Sequence, residues 1–83
     1  ANGIFSSASV VIRREELGKP PQYQHEGYVF NYIVSGQATY ACGAETFELS
    51  KGVSISFDAK LPHGFVEIHS EEVHMLTVST RPV

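Results

Sequence analysis

The chain predicts an all-β domain, a small antiparallel sandwich or barrel, and three observations carry that expectation. Roughly seven or eight short strand-like runs follow one another, separated by turn-forming residues. Almost no stretch shows the apolar period of a helix. Val53, Ile55 and Phe57, interleaved with Ser54 and Ser56, alternate with the period of two that a half-buried strand requires.

Taken in order, Ser9-Val10-Val11-Ile12 is rich in β-branched residues and reads as a strand. Arg13 to Gln22 reads as a polar connection, broken most strongly at Gly18-Lys19-Pro20-Pro21. Beyond the prolines, Gln22 to His25 is expected as a short strand. Tyr28 to Ser35 is a longer one, apolar on both faces and therefore expected to be buried on both. Gly36 punctuates it, and Gln37 to Ala41 continues as the next strand. Ala41-Cys42-Gly43-Ala44 has the form of a hairpin tip, since Gly43 takes positive φ at low cost. Thr46 to Leu49 alternates before a turn at Ser50-Lys51-Gly52, and Asp58 to Pro62 reads as a loop. Gly64 to His69 and Val73 to Thr80 are expected to form a last hairpin joined by Ser70-Glu71-Glu72.

Composition narrows the functional classes. The 83 residues suit one domain spanning 1–83, and 42% hydrophobic with 18% charged residues is ordinary globular usage. The apolar run from Tyr28 to Val34 is interrupted by Asn31 and is far too short to cross a bilayer. No basic leader precedes an apolar core near Ala1. Cys42 is the single cysteine, which excludes an internal disulfide and favours a cytoplasmic setting. With six Lys plus Arg and a formal charge of -3, the chain lacks the basic footprint of nucleic-acid binding, and Arg13-Arg14 is offset by Glu15-Glu16. Direct contact with nucleic acid by this domain is not expected, nor is membrane association.

Two segments carry the chemistry. His25-Glu26-Gly27 leads into Tyr28 to Gly36, and Gly52 to Phe57 leads through Asp58-Ala59-Lys60-Leu61 to Pro62-His63-Gly64. Their spacing resembles the cupin family, whose first motif has the form Gly-x5-His-x-His-x3–4-Glu-x6-Gly and whose second has the form Gly-x5-Pro-x-Gly-x2-His-x3-Asn. Anchored on Gly36, the second histidine of the first motif falls on His25, the first on Tyr23 and the glutamate on Val29. In the second motif Gly52 and His63 match, Asp58 to Leu61 replace the proline–glycine pair, and the closing asparagine falls near Glu67. The resemblance covers about Gln22 to Thr80, with the first motif near 22–36 and the second near 52–67. The phrase Phe57-Asp58-x3-Pro62-His63 is similar to the cupin at the carboxyl end of small helix-turn-helix transcription regulators.

The resemblance implies a double-stranded β-helix of jelly-roll type and a homodimer formed by pairing sheets. It also implies a divalent metal held by three histidines and a glutamate. Only His25 and His63 stand at matching positions here, so any Zn, Fe, Mn or Ni would rest on these two imidazoles unless other groups join them. Glu26 is one residue out of phase with His25 and, on a regular strand, faces the other way. Tyr23 and Asn31 share the inward parity of His25, Val29 and Ile33, which makes His25, His63, Tyr23 and Asn31 the candidate ligand-binding set. The bland alternative keeps both histidines as core polar groups satisfied by hydrogen bonds. His69 and His74 read as exposed residues, although His74 would reach the cavity if the face bearing Leu76 and Val78 pointed inward.

Three functions fit these readings. One is a non-catalytic module that binds a small effector, within a transcription regulator or as a free-standing relative. Another is a small metal-dependent dioxygenase, isomerase or lyase. The third is a barrel kept for dimerisation alone, either empty or fully packed by Val29, Ile33 and Phe65.

Overall fold

The computed structural model describes residues 5–80, and the expectation about a leader near Ala1 lies outside the described residues. Seven strands and one short helix follow in the order β1 (Phe5–Arg13), α1 (Arg14–Leu17), β2 (Tyr28–Ser35), β3 (Gln37–Cys42), β4 (Glu45–Ser50), β5 (Ser54–Asp58), β6 (His63–Ile68) and β7 (Glu72–Thr80). They form a four-stranded sheet in the order β1-β7-β2-β5, facing a three-stranded sheet in the order β4-β3-β6. Every pairing is antiparallel. The all-β jelly-roll architecture expected from the sequence is the one observed.

Four local expectations need correction. Gln22 to His25 is not a strand, because only Tyr23 pairs, through an isolated bridge to His63. The connection after Arg13 contains one helical turn, ended at Gly18 with φ 52. β6 and β7 do not form a hairpin: β6 pairs with β3, and β7 lies between β1 and β2 in the other sheet. Ser70-Glu71-Glu72 is therefore the region of an arch between sheets. A sequence pattern reports that two segments are strands and is silent on whether neighbours share a ladder.

The fourth correction concerns β2. Its burial alternates, with Val29, Asn31 and Ile33 buried and Tyr28, Phe30 and Tyr32 exposed. The strand is apolar on both faces, yet a sandwich of two sheets covers only one. Tyr28, at 63% exposure, stands on the outer face with Phe30 and Tyr32.

The core lies between the sheets and contains Ile33, Ala38, Leu49, Ile68 and Val73, with Tyr40, Phe65 and Met75 at its upper boundary. A β-bulge makes this arrangement possible. Thr39 opposes Glu67 and the next residue, Tyr40, opposes Phe65, so Val66 is the extra residue on β6. One added residue reverses the alternation. Ile68 and the odd-numbered pair Phe65 and His63 thereby all turn inward, where all three are buried.

Candidate functional site

A cavity of about 350 Å³ opens between β1, β7 and β2 on one side and β3 with β6 on the other. Its apolar wall includes Val10, Ile12, Leu17, Val29, Phe65 and Met75. The polar groups on its lining are Tyr23, His25, Asn31, Tyr40, His63, Thr77 and Ser79, and no Asp, Glu, Lys or Arg is among its described lining residues. The interior is not filled by Val29, Ile33 and Phe65, which removes the fully packed version of the dimerisation-only reading.

The mouth is built by residues 23–27 laced to residues 59–63, where the loop after β5 gives way to β6. Tyr23 and His63 exchange backbone hydrogen bonds, N–H to O at 2.8 Å and 3.0 Å. The His25 amide donates to the Ala59 carbonyl at 2.9 Å, and the Ala59 amide donates to the Gly27 carbonyl at 2.9 Å. Gly64 allows this approach, because a Cβ there would collide with the Pro21 carbonyl oxygen. Short polar stretches that would pair poorly by side chain are thus held by backbone bonds, and they carry Tyr23, His25 and His63 to one rim.

The two imidazoles stand edge to face with ring centroids 5.4 Å apart. Tyr23 lies 6.3 Å from the His63 ring and Phe57 lies 4.8 Å from it. His63 is buried, while His25 and Tyr23 are exposed at the rim. In His63, Nδ1 sits 2.7 Å from the Leu61 carbonyl oxygen, and in His25, Nδ1 sits 3.0 Å from the Glu26 carbonyl oxygen. A carbonyl oxygen only accepts, so each Nδ1 carries the proton and donates it. In the neutral ring each Nε2 is then an acceptor. This is the outer support that commonly orients a metal-binding or ligand-binding histidine.

Asn31 occupies the cavity floor at 1% exposure, and neither Nδ2 nor Oδ1 has a hydrogen-bond partner. Because both atoms are unpaired, exchanging the assignment of amide N and O would not relieve the deficit. Leaving such a group unsatisfied costs about 1–3 kcal/mol. Tyr40 is close by. Burial pushes its phenol up to about 12, while the Asn31 amide pulls the other way. Burial also pushes the Cys42 thiol up, with the Glu45 carboxylate adding to the effect, as expected of an inert thiol beside a turn.

The structure therefore brings His25, His63, Tyr23 and Asn31 to a single cavity. Glu26 stays outside it and pairs with Lys60 at 3.5 Å. His74 does not reach it. The odd-numbered residues of β7 face inward, and His74 instead lies 2.6 Å from the Ser9 hydroxyl on the outer side. His69 lies elsewhere, beside Thr39, Glu48 and Glu67 on β3, β4 and β6. Tyr40, Thr77 and Ser79 are cavity residues that the sequence reading missed. The run Val73, Met75, Thr77, Ser79 held the clue, since its side chains shrink and turn polar along one strand face.

The donor set does not fit three histidines and a glutamate. Val29 stands in the carboxylate position as a buried aliphatic side chain on the cavity wall. Among the described residues, no group of three His, Cys, Asp or Glu side chains is placed to hold a metal ion. The imidazoles alone supply no charge to balance a divalent cation.

Comparison with known proteins agrees with this architecture. The family model Cupin_2, the cupin domain, matches residues 10–79. The chain belongs to that family. No curated protein matches it. Among solved structures, the plu4264 protein from Photorhabdus luminescens is similar at TM-score 0.82 and 23% identity, over 98% of this chain and 66% of that one. An HTH_3 family transcriptional regulator from Vibrio cholerae gives TM-score 0.76 and 14% identity, over 96% of this chain and 44% of that one. The chain thus spans less than two thirds of either. The Cupin_2 domain of an XRE family transcriptional regulator from Enterobacter cloacae gives TM-score 0.76 and 18% identity, over 96% of this chain and 84% of that one. At these identities the likeness concerns the fold. No helix among the described residues is long and apolar enough to cross a membrane.

Proposed function

We propose that this cupin domain is a non-catalytic small-molecule-binding module, an effector sensor of a transcription regulator or a free-standing relative, acting in the cytoplasm. The observation that carries the reading is the unpartnered Asn31 amide on the wall of an uncharged cavity. A ligand supplies the missing partners, with His25, His63 and Tyr23 contacting it at the rim. Fold likeness to cupin domains of regulators supports the sensor form. Binding shifts a conformational equilibrium only by the ligand's difference in affinity for the two states.

Thermal-shift screening of uncharged metabolites against the chain and its His63→Ala variant tests this. A compound that stabilises the first and not the second supports the reading. Failure of every compound that fits the cavity to bind argues against it.

A metal-dependent enzyme is the second reading, favoured by the two supported imidazoles whose Nε2 atoms remain free to coordinate. It needs donors beyond those the described residues gather. Elemental analysis of protein purified without chelator separates the two: stoichiometric Zn, Fe, Mn or Ni, lost in both His25→Ala and His63→Ala, would favour the enzyme.

We also propose a homodimer through the outer face of the four-stranded sheet, where Val11, Phe30, Tyr32 and Leu76 are exposed. Register places Leu76 between Ser9 and Tyr32 and Val78 between Ser7 and Phe30, so these side chains make one patch. Sedimentation should show a dimer that Phe30→Glu converts to a folded monomer; a monomeric parent chain would remove the proposal.

A further inference from the structure

Resting on the reading of the cavity as a ligand site, we infer that its ligand presents a cis-amide edge, as in a lactam, an imide or a pyrimidinone-like ring. The requirement comes from Asn31. Its carboxamide has an unfilled donor and an unfilled acceptor on one planar group. Its nearest neighbours on the inward face leave both unfilled: Val29 and Ile33 flank it along β2, Ile55 lies opposite on β5, and Thr77, opposite on β7, makes no hydrogen bond to it.

Groups that only accept leave something unpaired. A ketone or ether gives no donor. An ionised carboxylate or phosphate also gives none, and it brings a charge to a floor with no Lys or Arg among the described lining residues. An open-chain secondary amide is trans, with N–H and C=O on opposite edges. A ring enforces the cis form that an open chain disfavours. It then sets both groups side by side to meet the Asn31 amide in two parallel hydrogen bonds. Both Asn31 atoms are sealed from water, so the amide turns about χ2 to meet the ligand, and that torsion is broad in asparagine.

The remainder of the cavity defines the remainder of the molecule. Its volume of about 350 Å³ is near the lower end for small-molecule sites, which calls for a compact ring system. Val10, Ile12 and Met75 take an apolar body. At the rim the Nε2 atoms of His25 and His63 accept from a hydroxyl or N–H on the far side.

The test titrates the isotopically labelled chain with carbostyril, an aromatic lactam, and with its N-methyl derivative, followed by NMR. The unaltered chain should bind the lactam roughly tenfold tighter, with the Asn31 side-chain amide resonance moving, and Asn31→Leu should bring the ratio to about one. Equal binding of both probes by the unaltered chain overturns the cis-amide edge and leaves the cavity reading standing. Binding of neither probe overturns the cis-amide edge, and the wider thermal-shift screen then decides the cavity reading separately. Should Asn31→Leu not fold, the ratio on the unaltered chain decides alone.

Discussion

The two ends of the sandwich are made from the same strands and behave differently. At one end Ile33 of β2 and Val73 of β7 pack with Ala38, Leu49 and Ile68 into a close core. At the other, Val29 and Asn31 of β2 and Thr77 and Ser79 of β7 line a cavity. Tyr40, Phe65 and Met75 belong to both, forming the layer where packing gives way to empty space. The backbone ladder continues through that boundary, with Asn31 opposite Thr77 and Ile33 opposite Met75. The difference therefore lies in the side chains. A close-packed half anchors the ladder, and the ladder holds the other half open with an unsatisfied amide inside it.

That contrast is open to direct attack. Ile33→Ala removes a side chain from the packed end and should destabilise the domain by about 2–5 kcal/mol in urea unfolding. A cost below about 1 kcal/mol would mean that the anchor lies elsewhere. Tyr40→Phe probes the boundary through pH. The folded domain holds this phenol at about 12 against an unfolded value of 10.0, so its contribution is fully present below pH 10 and is lost as pH rises towards 12. The alkaline fall in stability should shrink by roughly 2 kcal/mol in the variant, read from unfolding midpoints at pH 9 and 11.5. An unchanged fall would show that other groups cause it.

Asn31→Leu tests the hollow end and should act in the opposite direction. It removes two unpaired polar atoms and adds apolar volume, so the ligand-free domain should gain roughly 1 kcal/mol. A loss of stability would show that the amide is satisfied in solution by water or by Tyr40. The smallest effect is expected at Ser79→Ala, within about 0.5 kcal/mol, because its hydroxyl borders the cavity and supports no packed layer.

Much of the fold was legible because alternation is a local property. Val53 to Phe57 alternates, and β5 is half-buried at Ile55 and Phe57 as expected. The turn at Gly43 has φ 63, in agreement with the hairpin tip. Burial on both sides of β2 was not a sound expectation, because hydrophobicity reports what a face tolerates and the neighbouring sheet decides what is covered. The pairing of β6 and β7 failed for a related reason. Ladder partners are chosen by packing across the whole sandwich.

For the site, parity along β2 put Asn31 on the inner side, whereas Tyr23 and His25 reach the same cavity through backbone bonds to His63 and Ala59, since their segment is not a strand. Spacing from Gly52 added His63. Tyr40, Thr77 and Ser79 escaped because their direction depends on which sheet face of β3 and β7 is enclosed. For Phe65, His63 and Ile68 it depends further on a bulge at Val66 that no residue type announces.

Residue order was enough to specify an all-strand chain, its main turns, and two histidines set to meet across a β-arch, because these follow from period, glycine and spacing within short stretches. The hollow at one end, its uncharged lining and the stranded amide on its floor arise only when two sheets close over each other. Enclosure is a property of many distant residues at once, and no local window contains it.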